Sequence, residues 1–296
     1  MKKIIIFSLD NLGNGGDEML GDTTEYLVNK SGNYEVERAQ LKPHYKELGG
    51  WYAVEALIGN SIKWLSQKLP ISQTNKYRLY SIAYRIQYKR YYAKKISGKD
   101  AVIYALGMLK YSTQNVSYVF ELINRQASKK KVSVLMNAMS IEQSDKEDWR
   151  YWQLVRAVNM PCVKMITTRD GKEGVERLRK DYIRREGITT DYVGDPALWA
   201  PECYNIIKHN QSNSPKLGIG LIRTNIFESY KGGVSSRELY SFYKELIKKA
   251  NGGGIGICSV MVWHAIMKSV SISLENLDCL KRNFYRLQKQ QESCWN

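Results

Sequence analysis

No apolar run in the chain reaches about 18 residues, so no segment reads as a membrane-spanning helix. The opening Met1-Lys2-Lys3 has the basic start of a signal peptide. Its apolar stretch ends at Asp10 without a small-residue cleavage site, which predicts a buried first strand and a cytoplasmic protein. Cysteine is sparse: five residues, odd in number, scattered and without a C-x-x-C pair, which excludes a disulfide framework and a zinc site. Only three histidines occur, and none stands at metal-ligand spacing to another ligand. Acidic residues are outnumbered, 29 against 45 Lys and Arg, leaving a net charge of +16. Such a balance draws anions: nucleic acid, anionic lipid or a phosphorylated substrate. What remains is 296 residues at 43% hydrophobic and 25% charged, enough for two domains with real cores.

The first half alternates strand-like and helix-like segments in the manner of an α/β doubly wound parallel sheet. Lys3–Leu9 reads as a strand, and a glycine loop leads to an amphipathic helix over Glu18–Lys30. Tyr34–Leu41 is a second strand, and residues 51–97 form a helical insert. Strands over Ala101–Leu106, Val132–Ala138, Val163–Thr168 and Asp191–Gly194 alternate with helices over Thr113–Ser128, Asp145–Val158 and from Asp170 to about Tyr182. The N-terminal domain therefore spans 1–208. The polar stretch 209–216 is a linker, and 217–296 is a second, partial Rossmann-like domain with a strand over Leu217–Ile222 and a helix over Ser235–Ala250.

Asn11-Leu12-Gly13-Asn14-Gly15-Gly16-Asp17 lies between the first strand and the first helix. Its glycines let backbone N–H groups approach a ligand, and a helix N-terminus favours an anion. The dinucleotide fingerprint G-x-G-x-x-G fails, because Glu18 stands where its last glycine belongs. Asp17 reads either as the helix N-cap or as a catalytic carboxylate. Arg169-Asp170 follows a strand directly, at the carboxyl edge where open α/β sheets bind ligands; the pair is either an anion site or a surface ion pair. Asp195-Pro196 also follows a strand, as a site residue or an ordinary turn.

Together these segments resemble the polysaccharide pyruvyl transferase family from Asn11 to about Ile222. The resemblance rests on Asn14-Gly15-Gly16-Asp17, the strand ending Leu106-Gly107-Met108-Leu109, Arg169-Asp170 and Asp195-Pro196-Ala197-Leu198. It implies a two-domain, glycosyltransferase-B-like layout with an incomplete second domain. It also implies transfer of the enolpyruvyl group of phosphoenolpyruvate onto a hydroxyl pair of a sugar or lipid-linked saccharide, as a ketal, in cell-surface polysaccharide synthesis. An acid would protonate the methylene carbon, the hydroxyls would add, and phosphate would leave. By that resemblance Arg169 binds the donor anion and Asp17 acts on the acceptor hydroxyl. Asn14, Gly15, Gly16, Gly107, Asp170 and Asp195 line the substrate, and no metal or further cofactor is needed. Two departures stand out: Leu106-Gly107 replaces a Gly-Gly, and the Arg-x-His segment of the second domain is missing, His264 having no Arg two residues before it.

From about residue 252 the tail is atypical. Read from the third base of the Val260 codon, residues Val260–Lys268 permit Asn-Gly-Met-Ala-Cys-Asp-Tyr-Glu, a string resembling a motif of the same family. A frameshift near Gly252–Gly254 is one expectation. A divergent native tail with a helix over Leu274–Gln291 is the other, and an inactive truncated family member is the corresponding alternative function.

Between Lys76 and Lys99 eight cations and no acid are interleaved with six tyrosines. Tyrosines 77, 80, 84, 88 and 91 form a helical stripe that either packs on the core or, as a basic interfacial helix, makes peripheral contact with an anionic membrane at its inner face. A basic nucleic-acid-binding protein is a further alternative, but no nucleic-acid motif accompanies the run.

Overall fold

A computed structural model describes residues 1–9, 15–43, 50–112, 116–206, 216–221, 238, 241–242, 244–246, 248–249, 256–261 and 270–271. The chain divides into two units, Met1–Ile207 and Lys208–Asn296. It is an α/β protein with a Rossmann-like parallel sheet flanked by helices.

In the first unit the order is β1 (Lys2–Ser8), α1 (Gly15–Ser31), β2 (Tyr34–Gln40), α2 (Trp51–Lys68), α3 (Gln73–Ile96), β3 (Ala101–Ala105) and β4 (Met108–Leu109). There follow α4 (Val116–Lys130), β5 (Ser133–Ile141), α5 (Trp149–Val158), β6 (Val163–Thr168), α6 (Gly171–Arg177), a π-helical turn Leu178–Tyr182 and β7 (Thr189–Tyr192). A short 3-10 turn Pro196–Trp199 and α7 (Ala200–Cys203) complete it. The sheet runs β2-β1-β3-β5-β6-β7, all parallel, with β4 paired beside the end of β5. From β1 the chain moves outward to β2, then returns past β1 to β3. The strand order therefore reverses between β1 and β3, and such a reversal opens a crevice at the carboxyl ends of the strands.

Alternation along the central strands explains both faces. Ile5, Phe7, Val102 and Tyr104 point into the larger core with α3, α4 and α5, while Ile4, Ile6, Ile103 and Ala105 point the other way, toward Val28 of α1. Each such large side chain contributes about 1.5–3 kcal/mol on burial, so a strand apolar on both faces is fixed in register.

The helical insert is two helices, and it differs from expectation in which surface is apolar. The C-terminal part of the tyrosine stripe of α3 packs on the core: Tyr91 is buried, Tyr84 and Tyr88 pack against the core, and Tyr84 stacks on Tyr118 at 5.6 Å. The neighbouring Tyr92 packs edge-on to Phe7 at 5.7 Å and its hydroxyl donates to the Leu41 carbonyl. A membrane contact borne by the stripe is thereby corrected, because these rings are engaged within the fold and Tyr77 lies under the Arg150 guanidinium. Helix α2 is inverted instead. It turns Ala56, Gly59 and Ser66 inward around the buried Gln87 of α3, and leaves Trp51, Leu57, Ile58 and Trp64 exposed. Gln87 donates to the Ala56 carbonyl at 3.1 Å and to Asn60 Oδ1 at 2.8 Å, and accepts from Lys63 Nζ at 2.6 Å. No described helix is long and apolar enough to cross a membrane.

In the second unit β8 (Lys216–Leu221) pairs in parallel with β9 (Gly256–Met261), and β10 (Val270–Ser271) pairs antiparallel to β9. The described residues between 238 and 249 are helical. The tail helix expected over Leu274–Gln291 and His264 lie outside the described residues.

Candidate functional site

The carboxyl edge beside the β1/β3 reversal gathers polar side chains from several loops. Arg169 is the first residue past β6, so its side chain starts at that edge. Its Nη1 donates to the Asp195 carboxylate, and its Nε donates to Ser140 Oγ at 3.3 Å. A methyl group placed on Gly107, just past β3, would lie 3.4 Å from Arg169 Nη2, 3.6 Å from Leu20 Cδ1 and 3.9 Å from Asp17 Oδ1. Arg169, Asp17 and Gly107 therefore adjoin one point. The guanidinium and the carboxylate keep partial exposure there, so both reach solvent.

Asp17 is the third residue of α1, inside its first turn rather than before it, where a carboxylate complements the N-terminal end of the helix dipole. Gly15 and Gly16 open the same helix and are exposed. Asn14 lies outside the described residues. Asp195 is held in place by its own cap: its Oδ1 accepts from the Ala197 backbone N–H at 3.0 Å while Oδ2 faces Arg169. Asp170 faces β5 rather than the crevice. Its two oxygens accept from Ser140 Oγ at 2.8 Å and from the Ile141 N–H at 2.7 Å, so the carboxylate braces the β6–α6 corner. Gly174 permits that brace, since a Cβ there would meet Asp170 Cβ at 2.6 Å.

Ser140 was not legible as a site residue. It holds Arg169 Nε and Asp170 together, and its backbone N–H donates to the Gly107 carbonyl at 3.0 Å. A β-bulge places it there. The β5–β6 register slips between Met136 and Met139, and Ala138 takes a left-handed φ of 51°. Thr167 Oγ1 accepts the Ala138 N–H at 2.8 Å and donates to Asn137 Oδ1 at 3.3 Å. Among the described residues no group of three or more His, Cys, Asp or Glu is arranged to hold a metal ion.

Among the described residues, the edge offers the Arg169 guanidinium for a phosphate or carboxylate, backbone N–H groups at the start of α1, and the Asp17 and Asp195 carboxylates as acceptors for hydroxyls.

No family model matches the chain, and no curated protein matches it. Among solved structures, an S. aureus MnaA–UDP co-structure is similar at 11% identity and a TM-score of 0.48, over 88% of this chain and 62% of that one. UDP-GlcNAc 2-epimerase from Methanocaldococcus jannaschii is similar at 12% identity and a TM-score of 0.45, over 98% of this chain and 70% of that one. The chain thus spans less than two thirds of the length of the first. The expected membership of the polysaccharide pyruvyl transferase family is corrected by these findings. No family model supports it, and the structural neighbours are described by UDP and UDP-GlcNAc epimerisation, not by pyruvyl transfer. With it fall phosphoenolpyruvate as donor, the saccharide acceptor, the role in polysaccharide synthesis, and the alternatives of an inactive member of that family or a basic nucleic-acid- or membrane-binding protein.

Proposed function

We propose that the chain is an enzyme that binds a nucleoside-diphosphate sugar at the carboxyl edge of its first unit, with Arg169 as the phosphate anchor and Asp17 as a hydroxyl-directed carboxylate. The convergence of Arg169 and Asp17 on Gly107, beside the reversal of strand order, carries this reading. A phosphate needs a forked donor and nearby backbone N–H groups, which Arg169 and the first turn of α1 supply. A sugar needs acceptors for its hydroxyls, and Asp17 and Asp195 supply carboxylates at this edge. Asp195 also fills the guanidinium when no anion is bound, so the ligand phosphate would share or replace that pair. An Asp beside a bound hydroxyl is suited to removing its proton, which is the role assigned to Asp17. Calorimetric titration of the full chain with UDP, UDP-N-acetylglucosamine and free N-acetylglucosamine tests the reading. Binding of the two phosphorylated ligands, lost in Arg169→Ala, is expected. Absence of binding, or equal binding by Arg169→Ala, would overturn it.

A further inference from the structure

The bulge in β5 has an effect on facing beyond placing Ser140 beside Arg169. Up to Met136 the strand alternates in the ordinary way: Val134 and Met136 are buried in the large core, and Ser133, Leu135 and Asn137 are half-buried on the side of α1. Without an extra residue, Met139 and Ile141 would be next on the α1 side and Ser140 would turn into the large core, since a one-residue shift exchanges the faces of a strand. The bulge at Ala138 buries two consecutive residues, Ala138 and Met139, and returns Ser140 to the α1 side. Asn137 and Ser140, three residues apart, therefore share one face. Ser140 Oγ touches Arg169 there, and Asn137 is the register partner of Ala105, two residues before Gly107.

The hydrogen bonds also engage one end of the Asn137 amide. Thr167 Oγ1 accepts from the Ala138 N–H at 2.8 Å and donates its own hydrogen to Asn137 Oδ1 at 3.3 Å. That arrangement occupies the amide oxygen and leaves the Nδ2 hydrogens with no partner among the described residues. A left-handed alanine is a strained backbone, and such strain persists where surrounding bonds over-determine it. Here Thr167 supplies those bonds, and the result is an amide donor held at the edge of the strand.

We infer that Asn137 is a further ligand-binding residue of the site, donating through Nδ2 to an uncharged oxygen of the sugar, a hydroxyl or an acyl carbonyl, while Arg169 holds the phosphate. Thr167 and the Ala138 bulge are its positioning elements. This assignment rests on the reading proposed for the site. A neutral donor discriminates among sugars without adding to phosphate affinity, so Asn137 sets specificity where Arg169 sets anchoring.

Calorimetric titration of the full chain with UDP and UDP-N-acetylglucosamine, on Asn137→Ala and Asn137→Asp, tests it. Thermal denaturation of each variant reports folding. Asn137→Ala is expected to weaken UDP-N-acetylglucosamine about tenfold and to leave UDP unchanged. Asn137→Asp, which replaces the donor by a charged acceptor near the phosphate, is expected to weaken it further. Wild-type affinity for both ligands in Asn137→Ala and Asn137→Asp, with Arg169→Ala still inactive in binding, overturns this inference and leaves the anchor intact. Equal weakening of both ligands alongside a fallen Tm marks Asn137 as structural and also overturns it. Failure of the wild-type chain to bind either ligand overturns the function proposed above, and the role of Asn137 with it.

Discussion

Arg169 and Asp195 are joined by an ion pair whose acidic partner is itself fixed by the Ala197 backbone N–H. Both side chains are partly exposed, at 26% and 33%, so the pair contributes only about 0–1 kcal/mol to stability. Arg169→Ala should therefore change Tm by no more than a few degrees while removing anion binding. Arg169→Lys should not rescue it, because a single ammonium cannot serve Ser140, Asp195 and the Gly107 crevice together. Calorimetric titration with UDP beside a thermal melt separates the two effects. A large fall in Tm, or full binding by the lysine variant, would count against the anchor.

Gly107 keeps the crevice open. Alanine would add a methyl 3.4 Å from Arg169 Nη2, at ordinary contact distance, so Gly107→Ala should fold normally and lose a few-fold in ligand affinity. Gly107→Val places branches toward Arg169, Leu20 and Asp17 and should abolish binding without unfolding the sheet. Titration with UDP-N-acetylglucosamine and circular dichroism check both variants, and unchanged affinity in the valine variant would place the ligand elsewhere.

How far the sequence discloses this arrangement depends on what each residue stands beside. Arg169 directly follows the buried strand Val163–Thr168, so its place at the carboxyl edge was legible from the strand pattern alone, whereas Asp195 lies three residues past a polar strand and was marked by its Asp-Pro turn. Strand boundaries that end at a glycine or a charge were legible for the same reason, Val163–Thr168 without a shift. The strand expected over Asp191–Gly194 sits instead at Thr189–Tyr192, where it pairs residue for residue with Met165–Thr168 of β6. Asn137 and Ser140 were not legible. Val132–Ala138 reads as one apolar strand, and only the left-handed Ala138 decides which way the following residues face. The inversion of α2 was hidden too. Its apolar residues have ordinary helical spacing, and the inward face is set by Gln87, which lies on α3 and not on α2.

That inverted helix makes Gly59 sensitive. A Cβ there would come 2.3 Å from Gln87 Cγ and 2.7 Å from its Cδ. Gln87 cannot swing away without giving up Ala56, Asn60 and Lys63 together. Overpacking of this kind costs about 1–3 kcal/mol, against a helix-propensity gain of at most about 1 kcal/mol. Gly59→Ala should lower Tm by several degrees, and Gly59→Ala with Gln87→Ala should recover part of the loss by removing the clash. Differential scanning calorimetry decides the sign; a Tm raised by Gly59→Ala would mean that the two helices do not approach this closely.

Lys63 gives the fold a pH dependence opposite in sign to that of an ordinary ion pair. Its ammonium sits over the Tyr84 ring at 4.0 Å and bonds the neutral Gln87 amide, and burial pushes its pKa down to about 8. Burial, and then the charge of Lys63, push Lys42 down to about 8 as well. In the unfolded chain each holds its proton up to 10.5. Between those values the unfolded state binds more protons, so unfolding free energy rises with pH; below about 8 both states are charged and the folded state carries the full desolvation cost. Because the groups keep some solvent, the recoverable stability is about 1–2 kcal/mol for each. Other groups titrate nearby, so the difference between wild type and Lys63→Met isolates the effect. Lys63→Met should be the more stable near pH 7, and the gap should close as pH rises through about 8 to 9.5, before the tyrosines ionise in the unfolded chain. Urea denaturation of both proteins across that window measures it. A gap that is absent at pH 7, or that widens with pH, would mean that the Lys63 ammonium is not desolvated between α2 and α3.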